Sequence, residues 1–423
     1  MLTKSLLSGS VVYLAANVLS AMLPFALLPV LTRYLNPEEY GVIAMFQALV
    51  IGLGAFVGLG VAGAAGRKYY DDHPGKDELR DFIGACMQVT LMSGLLTLVG
   101  VVLLRSQVMD WLGLDIDWLV LAVFVAAATV VVQIRLGQWQ VRKEAFHYAT
   151  LQVSQSAFAV ALSILLVIVF SMGERGRIWA LIVAACLAAL VSWRLLLRDG
   201  LLRLGGWSSS HMRDALSFGL PLIPHVLGGF MLASADRLVI NASLGLSETG
   251  LYTVAVQLVS VMGLVFSAIN NAYVPWLFER LKNGVETEKH RIVRYTYVWF
   301  GLIILSVGLA FAAGPWLVVL IAGEQYEAAG DVIGWLALSQ AFGGMYLMVT
   351  NYIFYSKRTA YLAFSTLLSG LLNVALLVPL VNGHGLKGAA AASCIASGVQ
   401  FGVTWWLASR LHPMPWFRFG FWK

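Results

Sequence analysis

Charge is scarce in this chain. Asp, Glu, Lys and Arg make up only 12% of its 423 residues, against about a quarter in a soluble globular protein, so water is not the solvent for most of its surface. Cysteine is scarcer. Cys86, Cys186 and Cys394 stand far apart inside apolar runs, which excludes a disulfide framework and the close ligand spacing of a zinc site. Catalytic signatures are missing as well. There is no Gly-x-x-x-x-Gly-Lys-Ser/Thr phosphate loop, no His-Glu-x-x-His and no Gly-x-Ser-x-Gly, so ATP hydrolysis by a P-loop is excluded. Long polar loops are also missing, and a membrane glycosyltransferase or ligase would carry its acid and base groups in one. The expectation is a protein that is not an enzyme and holds no bound cofactor and no metal.

What the chain does contain is apolar length. Hydrophobic residues make up 59% of it, and mean hydropathy is +0.80. They fall in repeated runs of roughly 20 or more, the number a helix needs to cross about 30 Å of hydrocarbon. Open sheets leave unpaired edge amides in lipid, and the ten-residue alternation of an outer-membrane barrel is not seen. Hydropathy places twelve spans at 11–32, 41–66, 82–104, 118–134, 151–170, 178–197, 216–240, 251–274, 295–320, 332–352, 361–381 and 387–407. The first is longer than a signal-peptide core and lacks a small-residue cleavage site, so it reads as a retained span.

The formal charge of +6 would suggest nucleic acid in a soluble protein. Here it sorts by topology, and no nucleic-acid partner is expected. With a cytoplasmic N-terminus, Arg67, Lys68, Lys76, Arg80, Arg135, Arg142, Lys357 and Arg358 all fall in connections on the inside. Only Arg33, Arg105, Arg175, Arg177 and Lys387 fall outside. The positive-inside rule then sets both termini in the cytoplasm, in a multi-pass protein of a bacterial inner membrane.

The widest connection, 198–214, lies near the midpoint and divides the chain into lobes 1–205 and 206–423. A repeat supports the division: Leu35-Asn36-Pro37-Glu38-Glu39-Tyr40-Gly41 after span one is echoed by Leu244-Gly245-Leu246-Ser247-Glu248-Thr249-Gly250 after span seven. An even number of spans separates them, so the lobes form a parallel repeat. Prolines occupy related places, Pro24 and Pro29 in span one and Pro221 and Pro224 in span seven, as hinges or as fixed bends.

Charge inside the membrane is costly, so it faces a partner or a watery cavity. Asp236 and Arg237 in span seven are the clearest case. Counted back along a continuous helix, Asp236 shares a stripe with Leu232, Gly229 and His225, which makes Asp236 and His225 candidates for binding a coupling ion. The competing account is an Asp-Arg brace between helices and a hydrogen-bonded histidine. Arg237 and Arg33 offer the planar guanidinium fork that suits an anionic cargo. Asn17, Gln47, Gln257 and Asn270 lie in the spans, as do Asn271, Asn351 and Tyr352. They serve either to line a path for a hydroxyl-rich cargo or to join helices.

The run Phe218-Gly219-Leu220-Pro221-Leu222-Ile223-Pro224, followed by Ser234 to Ile240, Leu244-Gly245 and Gly250-Leu251-Tyr252, resembles the polysaccharide flippases of the MATE-like (MOP) transporter superfamily. Asn270 to Trp276, Asn373 to Pro379 and the stretch from Gly385 to Ala391 extend the likeness. The resemblance implies an all-α polytopic membrane protein of two six-helix lobes around a central, often cationic cavity. It also implies a lipid-linked oligosaccharide cargo, carried on undecaprenyl diphosphate and moved from the cytoplasmic to the periplasmic leaflet. Polysaccharide polymerase and glycosyltransferases are the implied partners, and O-antigen or exopolysaccharide the product. Arg67, Lys68, Arg135, Lys357 and Arg358 would recruit the lipid diphosphate at the inner leaflet. A cation-coupled multidrug antiporter of the same superfamily and a membrane enzyme or scaffold of polymer assembly are the other readings.

Overall fold

The computed structural model describes residues 2–71, 75–203, 205–283, 286–358 and 360–416, with the side chains of 2–10, His225, Asn283 and Ala360 excepted. Among the described residues there is no strand, and ten helices are long and apolar enough to cross a membrane. The last, Tyr361–Leu411, breaks at Gly385 (φ 58°, ψ −138°) into two pieces of span length. A bent pair, Ser209–Leu222 with Val226–Ala233, supplies one more. Counted so, the described residues hold up to twelve candidate spans by length and composition, against the twelve that hydropathy placed. Two compact units divide the chain, Met1–Phe230 and Met231–Lys423.

The first unit begins with α1 (Leu2–Tyr34), which runs unbroken through Pro24 and Pro29. Next, α2 (Pro37–Gly58) starts on a capping box. The Glu39 amide donates to Asn36 Oδ1 at 2.9 Å and the Asn36 amide to Glu39 Oε2 at 2.8 Å, so the Asn-Pro-Glu-Glu turn matches two otherwise orphan amides. There follow α3 (Val61–Lys68), α4 (Lys76–Leu103), α5 (Arg105–Leu112), α6 (Ile116–Val141), α7 (Ala145–Ile164), α8 (Gly173–Arg198) and α9 (Ser209–Gly219).

Helix α6 is the hub, packed against α2, α3, α4 and α8. Lipid tails are as apolar as leucine, so helices associate through close fit and polar bonds. Ser93 Oγ of α4 donates to the Val57 carbonyl of α2 at 2.6 Å, and Gln138 Nε2 of α6 to the Ala65 carbonyl of α3 at 2.8 Å. Leu96, Leu103 and Phe146 are exposed on the outside of this unit, as lipid-facing residues would be.

The sequence-based division at 205/206 falls earlier than the contact boundary at 230/231 because α9 packs onto the first unit. Gly60, in the left-handed region at φ 72°, lies against Gly219, and a Cβ built on Gly219 would stand 1.9 Å from the Leu59 carbonyl oxygen. Only glycine permits this approach.

The second unit takes up the end of α10 (Ile223–Ala233), then α11 (Ala235–Leu244), α12 (Leu246–Asn283), α13 (Glu286–Ala322), α14 (Gly330–Tyr355) and α15 (Ala360–Leu411). Gly245, at φ 92°, turns α11 into α12. The echoed heptads therefore both sit at a helix-to-helix corner. Helix α14 is packed against α12, α13 and α15. Its core is aromatic: Phe300, Phe401, Trp405 and Trp416 meet edge to face or stacked, with centroids 5.3–5.9 Å apart, and each such pair adds about 0.5–1.5 kcal/mol to area burial.

Candidate functional site

Span seven is not the continuous helix that sequence counting assumed. A 3₁₀ turn at Leu220–Leu222 carries Pro221, and the helix stops again at Ser234 (φ −145°, ψ −12°) before α11 begins. The stripe from Asp236 back to His225 therefore does not exist as counted. The His225 side chain lies outside the described residues. Asp236 instead stands in the first turn of α11, where it is buried and accepts the Arg237 amide on Oδ1 at 2.8 Å. Arg237 turns back over the break: its Nη1 donates to the Ala233 carbonyl at 2.8 Å and lies 4.0 Å from Asp236 Oδ1. Adjacent positions on a straight helix point about 100° apart and so address different partners. At the break they meet, and they satisfy backbone groups that the interruption exposes.

Three of the six candidate amides join helices. Asn351 Nδ2 of α14 donates to Asn270 Oδ1 of α12 at 2.8 Å, fully buried. Asn17 of α1 accepts from Gln152 Nε2 of α7 at 2.9 Å. Tyr352 is buried with its ring stacked on His412 at 6.0 Å and edge-on to Trp416 at 5.6 Å. Gln47 and Gln257 are half-buried, whereas Asn271 and Arg33 are exposed.

The basic residues separate into engaged and open groups. Arg67 is 3.5 Å from Asp214 and lies 5.0 Å over the Phe218 ring. Lys68 is held between Glu78 at 2.8 Å and Asp71 at 3.2 Å. The Glu78 hydrogen bond, against some desolvation, raises its pKa above the usual lysine value. Two carboxylates neutralise this ammonium, which leaves it poorly suited to recruit a diphosphate. Lys357 (φ 56°) and Arg358 follow α14 and are exposed.

Arg135 departs most from expectation. Hydropathy ended span four at 134 and put Arg135 in a connection, but α6 continues to Val141 and Arg135 is 2% exposed. A hydropathy window reads an arginine as the end of a span, whereas its helix carries on beyond it. The guanidinium faces the Trp139 ring at 4.0 Å, one turn along the same helix, and its Nη2 forms an ion pair with Asp199 at the end of α8. Together they line a cavity of about 700 Å³ formed by the ends of α3, α4, α6, α7 and α8. Sequence reasoning missed Trp139 and Asp199, although the Arg135-x-x-x-Trp139 spacing is a helical face.

The sequence profile of the polysaccharide biosynthesis protein family matches residues 6–280. The chain belongs to this family. The matched region includes Phe218 to Pro224, Ser234 to Ile240 and Asn270 to Trp276, three of the segments that carried the resemblance. A family relative in Haemophilus influenzae, described as an uncharacterized membrane protein, is 30% identical over 370 residues, 86% of this chain and 88% of the relative. The succinoglycan biosynthesis transport protein ExoT of Rhizobium meliloti is 26% identical over 333 residues, 75% of this chain and 63% of that protein. Among solved structures, the lipid II flippase MurJ in an inward closed conformation superposes with a TM-score of 0.76 at 13% identity, covering 94% of this chain and 87% of that one. An inward-facing multidrug resistance MATE transporter of the MOP superfamily gives 0.68 at 15% identity, covering 94% of each chain. This family member is a multi-pass membrane protein with a MATE-like fold.

Proposed function

We propose that the protein is a flippase. It moves an oligosaccharide repeat unit, linked to undecaprenyl diphosphate, from the cytoplasmic to the periplasmic leaflet of a bacterial inner membrane by exposing its binding site to the two sides in turn. The observation that carries this reading is the polysaccharide biosynthesis family match over residues 6–280 in a chain built almost wholly of membrane-spanning helices. The relative ExoT, named for succinoglycan transport, and the MATE-like fold support it. Sorting of Lys and Arg to one set of connections supports cytoplasmic termini. Arg33 and Asn271 are the groups we assign to cargo, because their side chains are exposed rather than spent between helices. Product polymer is O-antigen or exopolysaccharide, made with a polymerase and glycosyltransferases as partners.

Deletion of the gene in its native host tests this reading. Lipid-linked repeat units should accumulate on the inner leaflet while surface polymer disappears, and the intact gene should restore it. Intact polymer with lost drug tolerance would select a multidrug antiporter instead.

A further inference from the structure

Arg135 is buried in the first unit with its hydrogen-bonding capacity unmet. A guanidinium presents two flat forks, Nε with Nη2 and Nη1 with Nη2, so Nη2 belongs to both. Asp199 holds Nη2, while Nε and Nη1 have no hydrogen-bond partner in the protein. The pair is uneven: the Arg135 side chain is 2% exposed and that of Asp199 42%. Trp139 covers one face of the guanidinium at 4.0 Å, which fixes its plane. Buried charge-bearing donors are normally matched, and the side chain that carries these two lines a cavity of about 700 Å³. Lys76, Arg142 and Arg198 line it too, so four cations face two carboxylates, Glu144 and Asp199.

We infer that this cavity binds a phosphate-class anion, with Arg135 as its central donor and Asp199 as the carboxylate it displaces. Two phosphate oxygens taking one fork in parallel gain a bidentate, charge-assisted contact. Asp199, at the exposed end of α8, loses little by turning to water. This deepens the flippase reading, on which it rests only for the expectation that the phosphate arrives attached to a lipid. Inorganic pyrophosphate and an anionic phospholipid head group share the chemistry.

The test uses the purified full-length protein in nanodiscs of phosphatidylcholine, titrated with inorganic pyrophosphate and followed by thermal unfolding. Saturable stabilisation is expected, weakened about tenfold by Arg135→Gln and by a smaller factor in Arg142→Gln, and strengthened by Asp199→Asn. Should Arg135→Gln fail to fold, the opposite responses of Arg142→Gln and Asp199→Asn decide the matter. In a second arm, phosphatidylglycerol replaces part of the lipid. Stabilisation by that lipid, sensitive to Arg135 or Asp199 substitution and competing with pyrophosphate, assigns the site to a membrane head group; a response to pyrophosphate alone assigns it to a soluble anion. No response to either, or equal responses in wild type and all three variants, overturns the inference. Anion binding that persists in a protein unable to move lipid-linked sugar would sink the flippase reading and leave this site standing.

Discussion

Asn351 and Asn270 form one buried amide bond, 2.8 Å long, that ties α14 to α12. Replacing one partner leaves the other buried and unmatched, at about 1–2 kcal/mol. Asn351→Leu should therefore lower thermal stability in detergent, and the double change with Asn270→Leu should recover part of the loss. A lone substitution that leaves stability untouched but stops export would mean that the pair meets cargo.

Gly219 makes a sharper case. Alanine there would drive its Cβ to 1.9 Å from the Leu59 carbonyl oxygen, and neither backbone can yield cheaply. Gly219→Ala should cost about 3 kcal/mol or more and deplete the protein from membranes. At Gly229, where nothing described lies within 4 Å of a built Cβ, alanine should be neutral or should stabilise by about 0.5–1 kcal/mol through helix propensity. Immunoblots of membrane fractions and unfolding curves of the two variants check the contrast.

Arg237 carries a third prediction. Its guanidinium holds the Ala233 carbonyl at the break between α10 and α11, so Arg237→Ala should cost about 1–3 kcal/mol. Surface polysaccharide should fall in step with the amount of folded protein. Loss of polymer at unchanged stability and unchanged membrane level would show that Arg237 touches cargo directly.

The segment after α15 carries a pH dependence. His412 packs between Tyr352 and Tyr355, where burial, and then Lys289, lower its pKa below the ordinary value of 6.5. The docked segment therefore keeps His412 neutral, while an undocked one gains a proton near pH 6.5. Docking is fully favoured above that pH and weakens as pH falls toward the lowered value. Proteolysis near 412–416 should accelerate between pH 7.5 and 5.5, about the range in which a histidine titrates, and His412→Gln should flatten the profile.

Span number and fold class were legible because hydrophobic length is a local property. The interruption at Ser234 was not, since neither Ser234 nor Ala235 is a strong helix breaker, and yet the backbone leaves the helical region there. The same limit explains Asp236 and Arg237: their chemistry was visible, but their geometry depended on that break. Arg135 was legible as a cation, and hydropathy then misplaced it in a loop. Its setting also needs Asp199, 64 residues away in sequence, a pairing that composition and periodicity do not encode. Gly60 and Gly63 pack against Gly219 and Phe218, which lie across the 205/206 boundary that sequence drew.

Leaflet transfer in a purified system tests the central claim most directly. Proteoliposomes containing only this protein and a fluorescent undecaprenyl-diphosphate oligosaccharide are mixed with a membrane-impermeant quencher. Transport predicts that lipid initially confined to one leaflet becomes accessible from the other, with its covalent structure unchanged and at a rate that scales with protein. Accessibility no faster than in protein-free vesicles, with the protein folded and supplied with proton and sodium gradients in turn, would contradict the account.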